Sequence, residues 1–314
     1  MKKLLISLLL ICIAVLAVDR IGGLGMQWVS RNSQDVLSPK LWYIQDSIHE
    51  DVILMGTSRC HHHFVPSILA DTLGMSVYNA GVGGSGNIFS HYMLLCHILA
   101  HHTPKIICLD ITTSDFTLQE SPLSAVCLFA PLYGKNEQAD SVFRLAGTYW
   151  AYKISHLYRY NAKAASNLWG LILNRQKESD KGYMPLPQPK DKNRGLKLEE
   201  DPLEFRNDDN KIVYLQRFIS YCKQKGILLI LVVSPKYTKV APDCYATPKK
   251  IAEDNGIPFL DYHTHALYHT HPEYFKDINH LYDKGAKLFS SAFAFDLKRC
   301  VSSRTGAPHH SHCP

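Results

Sequence analysis

Alternation of short apolar runs with helix-length segments predicts an α/β protein: a three-layer α/β/α domain on a five-stranded parallel sheet, with a largely helical insertion. Three observations carry this. Five runs of about four to eight residues are apolar nearly throughout, as strands covered on both faces are. Segments with helical spacing separate them. Residues capable of chemistry cluster just past the carboxyl ends of the runs, the edge of an open α/β sheet where sites form.

In chain order, Asp51-Val-Ile-Leu-Met-Gly-Thr-Ser58 reads as a buried strand running into a turn, and Phe64–Leu73 then has helical spacing with Pro66 in the first turn. Ser76-Val-Tyr-Asn79, the second strand, leads to Gly81-Val-Gly-Gly84-Ser-Gly86 and an apolar helix over residues 88–102. The third, Lys105–Ile111, ends in Thr112-Thr-Ser114-Asp115. The fourth, Ile227–Val233, follows a helix near 211–225 and ends in Ser234-Pro235; the fifth, Ile257–Asp261, precedes a loop holding Asp277 and His280. Residues 116–207 are too many for an ordinary connection. The aromatic-rich stretch Leu145 to Leu173 predicts one or two helices over the site edge, serving as a lid, a glycan platform or plain packing. Lys181 to Glu200 reads as extended and mobile, and 301–314, with no apolar period, as a disordered tail.

At the N-terminus, Met1-Lys-Lys3 precedes a fifteen-residue run, Leu4 to Val18, apolar but for Ser7 and closed by Asp19-Arg20. That run is shorter than the roughly 20 residues of a spanning helix and suits a signal-peptide core, with Val15-Leu16-Ala17 an acceptable cleavage site. Residues 1–20 are therefore a signal peptide or a membrane anchor, and 21–300 the α/β domain. Either reading places the domain outside the cytoplasm, in the periplasm or cell envelope, because the lysines precede the apolar run.

With 314 residues and 46% apolar content the chain can bury one substantial core plus an insertion. Its net charge of +6 includes two lysines of the first three residues, and no basic stripe interleaves with aromatics, which argues against nucleic acid as a partner. Nine cysteines form no Cys-x-x-Cys pair; Cys108 and Cys222 fall in apolar patterns and read as small core residues. His61-His-His63, His263-Thr-His265 and His269-Thr-His271 lack the spacing of a zinc motif, so no metal site is expected. The first cluster is expected to help line a substrate mouth.

The chemistry centres on Ser58, Asp277 and His280. A hydroxyl becomes a strong nucleophile when an imidazole takes its proton and a carboxylate fixes that imidazole. Asp277 and His280, three residues apart, can present their side chains on one side of the backbone. Cys60 is a rival nucleophile that the Gly-x-Ser register disfavours. Such a site needs no metal or organic cofactor.

Gly56-Thr-Ser58, Tyr78-Asn-Ala-Gly-Val-Gly-Gly84 and Asp277-Ile-Asn-His280-Leu281, in this order, resemble the SGNH/GDSL hydrolase superfamily over roughly residues 50–115 and 210–298. The resemblance implies a flavodoxin-like domain, Ser58 as nucleophile, and the amides of Ser58 and Gly84 as oxyanion donors. Where the superfamily has asparagine in its third element, this chain offers Ser114. Losing one such donor costs about 10²–10³ in rate. Asn79, Asn87 and Arg59 are candidate substitutes, and Arg59 and His63 candidate substrate contacts. The Gly-x-Ser-Arg opening and Asn-His-Leu ending resemble a membrane-tethered envelope subgroup, whose members assist D-alanylation of wall polymers or acetylation of exopolysaccharides beside membrane-bound O-acyltransferases. The expected function is a serine esterase acting on acetyl-type esters of an envelope or extracellular glycan. The alternatives are an O-acyltransferase partner of a membrane acyl carrier system and a catalytically lapsed glycan-binding protein.

Overall fold

The computed structural model describes residues 1–172, 180–188, 196–200, 206–239, 244–263 and 265–305. Strands β1 (Val52–Gly56), β2 (Val77–Asn79), β3 (Ile106–Asp110), β4 (Leu228–Val233) and β5 (Phe259–Asp261) lie in the order β2-β1-β3-β4-β5, all parallel. This is the flavodoxin-like order, in which the chain reverses direction across the sheet beside β1 and leaves a crevice at the carboxyl ends of β1 and β3. Successive strand residues point to opposite faces, so each strand feeds two cores. Ile53, Met55, Ile107, Leu109, Leu229 and Leu231 enter one; Val52, Leu54, Ile106, Cys108, Ile230 and Val232 enter the other.

The helices are α1 (Lys2–Asn32), α2 (Leu37–Asp46), α3 (Ser58–His63), α4 (Pro66–Leu73), α5 (Ile88–Leu99), α6 (Glu137–Leu145), α7 (Tyr149–Ile154), α8 (Ala164–Ile172), α9 (Asp209–Gln224), α10 (Ala246–Asp254), α11 (Ala266–His269) and α12 (Asp283–Thr305). Helices α2, α5 and α9 cover the first face; α4 and α12 cover the second, where Phe289 and Phe293 pack on Phe64. The helix expected over Phe64–Leu73 is present as α4 but starts two residues later, and a separate short helix, α3, precedes it. Proline cannot donate and restricts the residue before it, so α3 ends at His63 and α4 restarts with Pro66 in its first turn.

Four expectations change. Helix α1 runs unbroken for 31 residues through Asp19-Arg20, so the boundary at residue 20 falls inside one helix. Its second half belongs to the domain: Ser30 accepts a hydrogen bond from Trp42 at 3.0 Å, and a Cβ on Gly23 would lie 2.5 Å from His156. The insertion is helical as expected, but none of its described residues lines the cavity at the sheet edge. Instead α6 packs on α5, α8 packs on α1, and Leu128 and Ala125 back the glycine loop. Residues 180–188 are extended but tied down: Lys181 and Leu186 accept from the Asn79 and Asp283 amides, and the Met184 amide donates to His61. Residues 189–195 of the expected mobile stretch lie outside the described residues. Finally, α12 continues to Thr305, leaving only 306–314 of the expected tail, also outside the described residues.

Burial holds His62, His97 and His263 each at a pKa of about 4, because a charged ring would lose its hydration. Unfolded imidazoles take up a proton near about 6.5, so between about 6.5 and 4 the unfolded chain binds more protons than the native one. Stability is then complete above that window and falls as pH drops through it. The melting temperature of detergent-solubilised protein should decline on acidification from about pH 7 to 4.5, and His97→Gln should flatten part of that decline.

Candidate active site

Gly56 closes β1 at φ +153°, where a Cβ would stand 2.7 Å from Cys60 and 2.9 Å from the Asp110 carbonyl oxygen. The tight turn that this permits places Ser58 at the start of α3, over the carboxyl edge of the sheet. His280 comes to the same point from the loop before α12. Its Nε2 lies 2.8 Å from Ser58 Oγ, and its Nδ1 lies 2.9 and 3.0 Å from the two Asp277 oxygens. With Nδ1–H donating to the carboxylate, Nε2 is left to accept the Ser58 hydroxyl proton.

Asp277 Oδ1 also accepts the amides of Asn279 and His280, at 2.9 and 3.0 Å. Its partial burial opposes ionisation, but these hydrogen bonds, with that from the His280 ring foremost, outweigh it and hold the carboxyl below its usual range. The loop is closed by backbone bonds from Lys276 to His280 and from Tyr282 to Tyr274. Cys60 is excluded as a rival nucleophile: it is buried, and burial pushes its thiol pKa well up.

Ser58, His280, Gly84 and Ser114 all border one cavity of about 380 Å³. The amides of Ser58 and Gly84 are engaged by no backbone carbonyl among the described residues, so both remain able to donate. Ser114 is at the wall, but its hydroxyl lies 2.9 Å from the Gly86 carbonyl and 2.5 Å from Thr112 Oγ1, which in turn donates to Asp115. Its proton is committed away from the cavity. Asn87 does not replace it: the side chain caps α5 through the Phe89 amide and donates to the Pro122 carbonyl. Asn79 is fully buried and donates to the Cys60 and Phe64 carbonyls.

The two expected substrate contacts also change. Arg59 reaches the cavity only as its floor, with its guanidinium donating to the Ile111 carbonyl at 2.7 Å and 3.7 Å from Asp110. Burial opposes that charge, but Asp110, Tyr245 and Asp115 together outweigh it and raise the guanidinium pKa. His63 is fully buried and does not line the cavity at Ser58. Its Nε2 accepts the Leu281 amide at 3.0 Å, and its Nδ1–H donates to Ser234 Oγ at 3.2 Å. Ser234 in turn donates to Asp110. This chain of hydrogen bonds ties the residue after His280 to the ends of β3 and β4. His62 donates to the Met184 carbonyl and lies edge-on to the His280 ring, 5.6 Å between centroids. His61 borders a separate cavity of about 260 Å³ rather than the one at Ser58.

Sequence reasoning missed Lys236, Tyr245, Thr113 and Asn279, all at the cavity wall. Lys236 follows Ser234-Pro235 at the carboxyl end of β4, so the sheet-edge rule applied to every strand points to it. Tyr245 carries no such local signal.

No protein-family model and no curated protein matches the chain. Among solved structures it is similar to a candidate lipolytic protein of the G-D-S-L family from Desulfitobacterium hafniense DCB-2, at 13% identity and a TM-score of 0.43, covering 78% of this chain and 97% of that one. It is also similar to a candidate acylhydrolase from Bacteroides fragilis NCTC 9343, at 13% identity and a TM-score of 0.36, covering 81% and 90%. The fold stands on the strand order, which is independent of these likenesses.

Because His63 is wholly buried and neutral, replacing it with leucine leaves the Leu281 amide and the Ser234 hydroxyl without their partners. His63→Leu should lower stability by about 1–3 kcal/mol, measured by denaturant unfolding of detergent-solubilised protein, with Ser234→Ala costing less.

Proposed function

We propose that this protein is a serine hydrolase of ester bonds in which Ser58 attacks the ester carbonyl. The contact that carries the reading is the 2.8 Å approach of His280 Nε2 to Ser58 Oγ, with Asp277 held against the opposite ring nitrogen. His280 takes the Ser58 proton as the new C–O bond forms, then returns it to the leaving alcohol as the acyl-enzyme is released from it. Water repeats the cycle and frees the acid. The Ser58 and Gly84 amides stabilise the oxyanion, and the missing third donor keeps the rate below that of a complete site.

In this reading the ester is carried by an envelope or extracellular glycan, and the acyl group is small. A wall of Thr57, Thr112, Thr113, Ser114 and Asn279 offers hydroxyl and amide groups suited to sugar hydroxyls, and Lys236 suits an acidic glycan. Export to the periplasm or cell envelope, with α1 as the anchor, is part of the same reading: by length and composition α1 can cross a membrane, and its most apolar window is wholly exposed. That helix also favours a second reading, in which a sugar hydroxyl replaces water and the protein serves a membrane-bound O-acyltransferase and its acyl carrier.

A fluorophosphonate probe should label Ser58 in the full chain, and Ser58→Ala should abolish both labelling and ester turnover. Absence of labelling and turnover in the wild type would leave a glycan-binding protein. Release of acyl product to water, or its appearance on an added oligosaccharide, separates hydrolase from transferase.

Asp277→Asn would remove the charge that fixes the Nδ1–H tautomer. In the Ser-His-Asp proteases the equivalent change costs about 10⁴ in kcat, and a comparable fall is expected here in steady-state ester hydrolysis. Near wild-type turnover in a folded Asp277→Asn protein would refute the triad.

A further inference from the structure

Helix α1 and the insertion meet at the point where the apolar run of the anchor ends. Asp19, the first charged residue after Leu4–Val18, accepts hydrogen bonds from the Ser155 hydroxyl and from the His156 and Leu157 amides, while Arg20 donates to the Ile154 carbonyl at 2.8 Å. The corner between α7 and the 3₁₀ turn Leu157–Tyr160 is thereby clamped to α1 at one level. Its outward side chains are apolar. Trp150 and Ile154 are 65% and 63% exposed, and Leu157 and Tyr158 join them. The adjacent outer stripe of α1 is the same, with Ile21 70% and Leu24 64% exposed, whereas its inner stripe carries the small residues Gly23 and Ser30. Both elements thus place apolar groups toward the outside and small or polar groups toward the protein, the inverse of a water-facing surface.

Length supplies the second argument. The fifteen residues Leu4–Val18 rise only about 22 Å, short of a hydrocarbon core of about 30 Å; extended to Leu24, the helix rises about 30 Å. The added turns contain Asp19 and Arg20, which lipid would not tolerate unpaired. Here Asp19 is enclosed by the corner and its side chain is only 16% exposed. Lys153, whose ammonium lies 4.9 Å from the Trp150 ring centroid, sets a cation beside the exposed tryptophan, the pairing of aromatic and basic side chains found where proteins meet a membrane surface.

We propose that the Tyr149–Tyr158 corner is embedded in the lipid–water boundary, so that α1 and this corner together form the membrane-bound unit and a phospholipid bilayer is the partner of this face. The inference rests on reading α1 as an anchor. Because the corner is fixed both to α1 and to the α/β domain, it holds the domain at a set height and tilt above the bilayer, where a free tether would let it swing.

Tryptophan quenching in phosphatidylcholine liposomes brominated near the top of the acyl chains tests this on the full chain. Trp150→Phe should reduce the quenched part of the emission relative to wild type. Trp169→Phe should leave it unchanged, since Gly170 of α8 meets the chain at Gln34, just past the end of α1, which itself stands about 12 Å beyond Leu24 along the helix. In the same liposomes Cys12, exposed on α1, reports the anchor: it should resist a water-soluble maleimide, with Cys12→Ser identifying its share of any label. Protected Cys12 with quenching indifferent to Trp150→Phe would overturn the embedded corner while keeping the anchor, and would assign this face to a protein. Labelled Cys12 would remove the anchor, and with it the proposal. Equal loss of quenching in both tryptophan variants would overturn the fixed height.

Discussion

The hydrogen bond from the Leu281 amide to His63 joins two ends of the chain that the candidate site requires together. Ser58 and His280 are 222 residues apart, and their 2.8 Å contact depends on a loop that the sheet itself does not hold. Strand β5 ends at Asp261, leaving fifteen residues before Asp277. The loop is anchored from beneath, by Asp110 through Ser234 and His63, rather than by its own strand. Each member of this buried chain has its partner, and a buried polar network stabilises only when it is so satisfied.

The same economy of donors explains why the oxyanion side is thin. Four polar side chains near the cavity were available in principle, and the fold commits each elsewhere: Ser114 to Gly86 and Thr112, Asn87 to the cap of α5, Asn79 to the turn after α3, Arg59 to Ile111 and Asp110. In the reading proposed above, a developing negative charge would then meet the amides of Ser58 and Gly84, with Thr113, Lys236 and Asn279 at the same wall. Backbone donors are the better preorganised kind, since the turn at Gly56 and the positive φ of Gly84, +76°, fix them before any substrate arrives.

Helix α1 is continuous with the domain. A cleavable leader ends where a flexible link begins; here the helix passes the end of the apolar run and goes on to pack against Trp42 and His156. The second half of the helix is therefore a wall of the domain.

The sequence alone determined the five strands, their parallel arrangement, the candidate triad and the place of the site, because each is a local pattern: an apolar run, a helical period, or a residue just past a strand end. It did not determine what the polar residues between these patterns do. His63 and Arg59 carry the same local signal as a substrate contact, and only packing turns one toward Leu281 and the other toward Ile111. The end of α1 was equally out of reach. Asp19-Arg20 looks like a boundary in one dimension and ceases to be one when Ser155, His156 and Leu157, more than 130 residues away, satisfy the Asp19 carboxylate. Hydrophobic periodicity is written along the chain, whereas hydrogen-bond partners are chosen across it, and only the tertiary structure decides them.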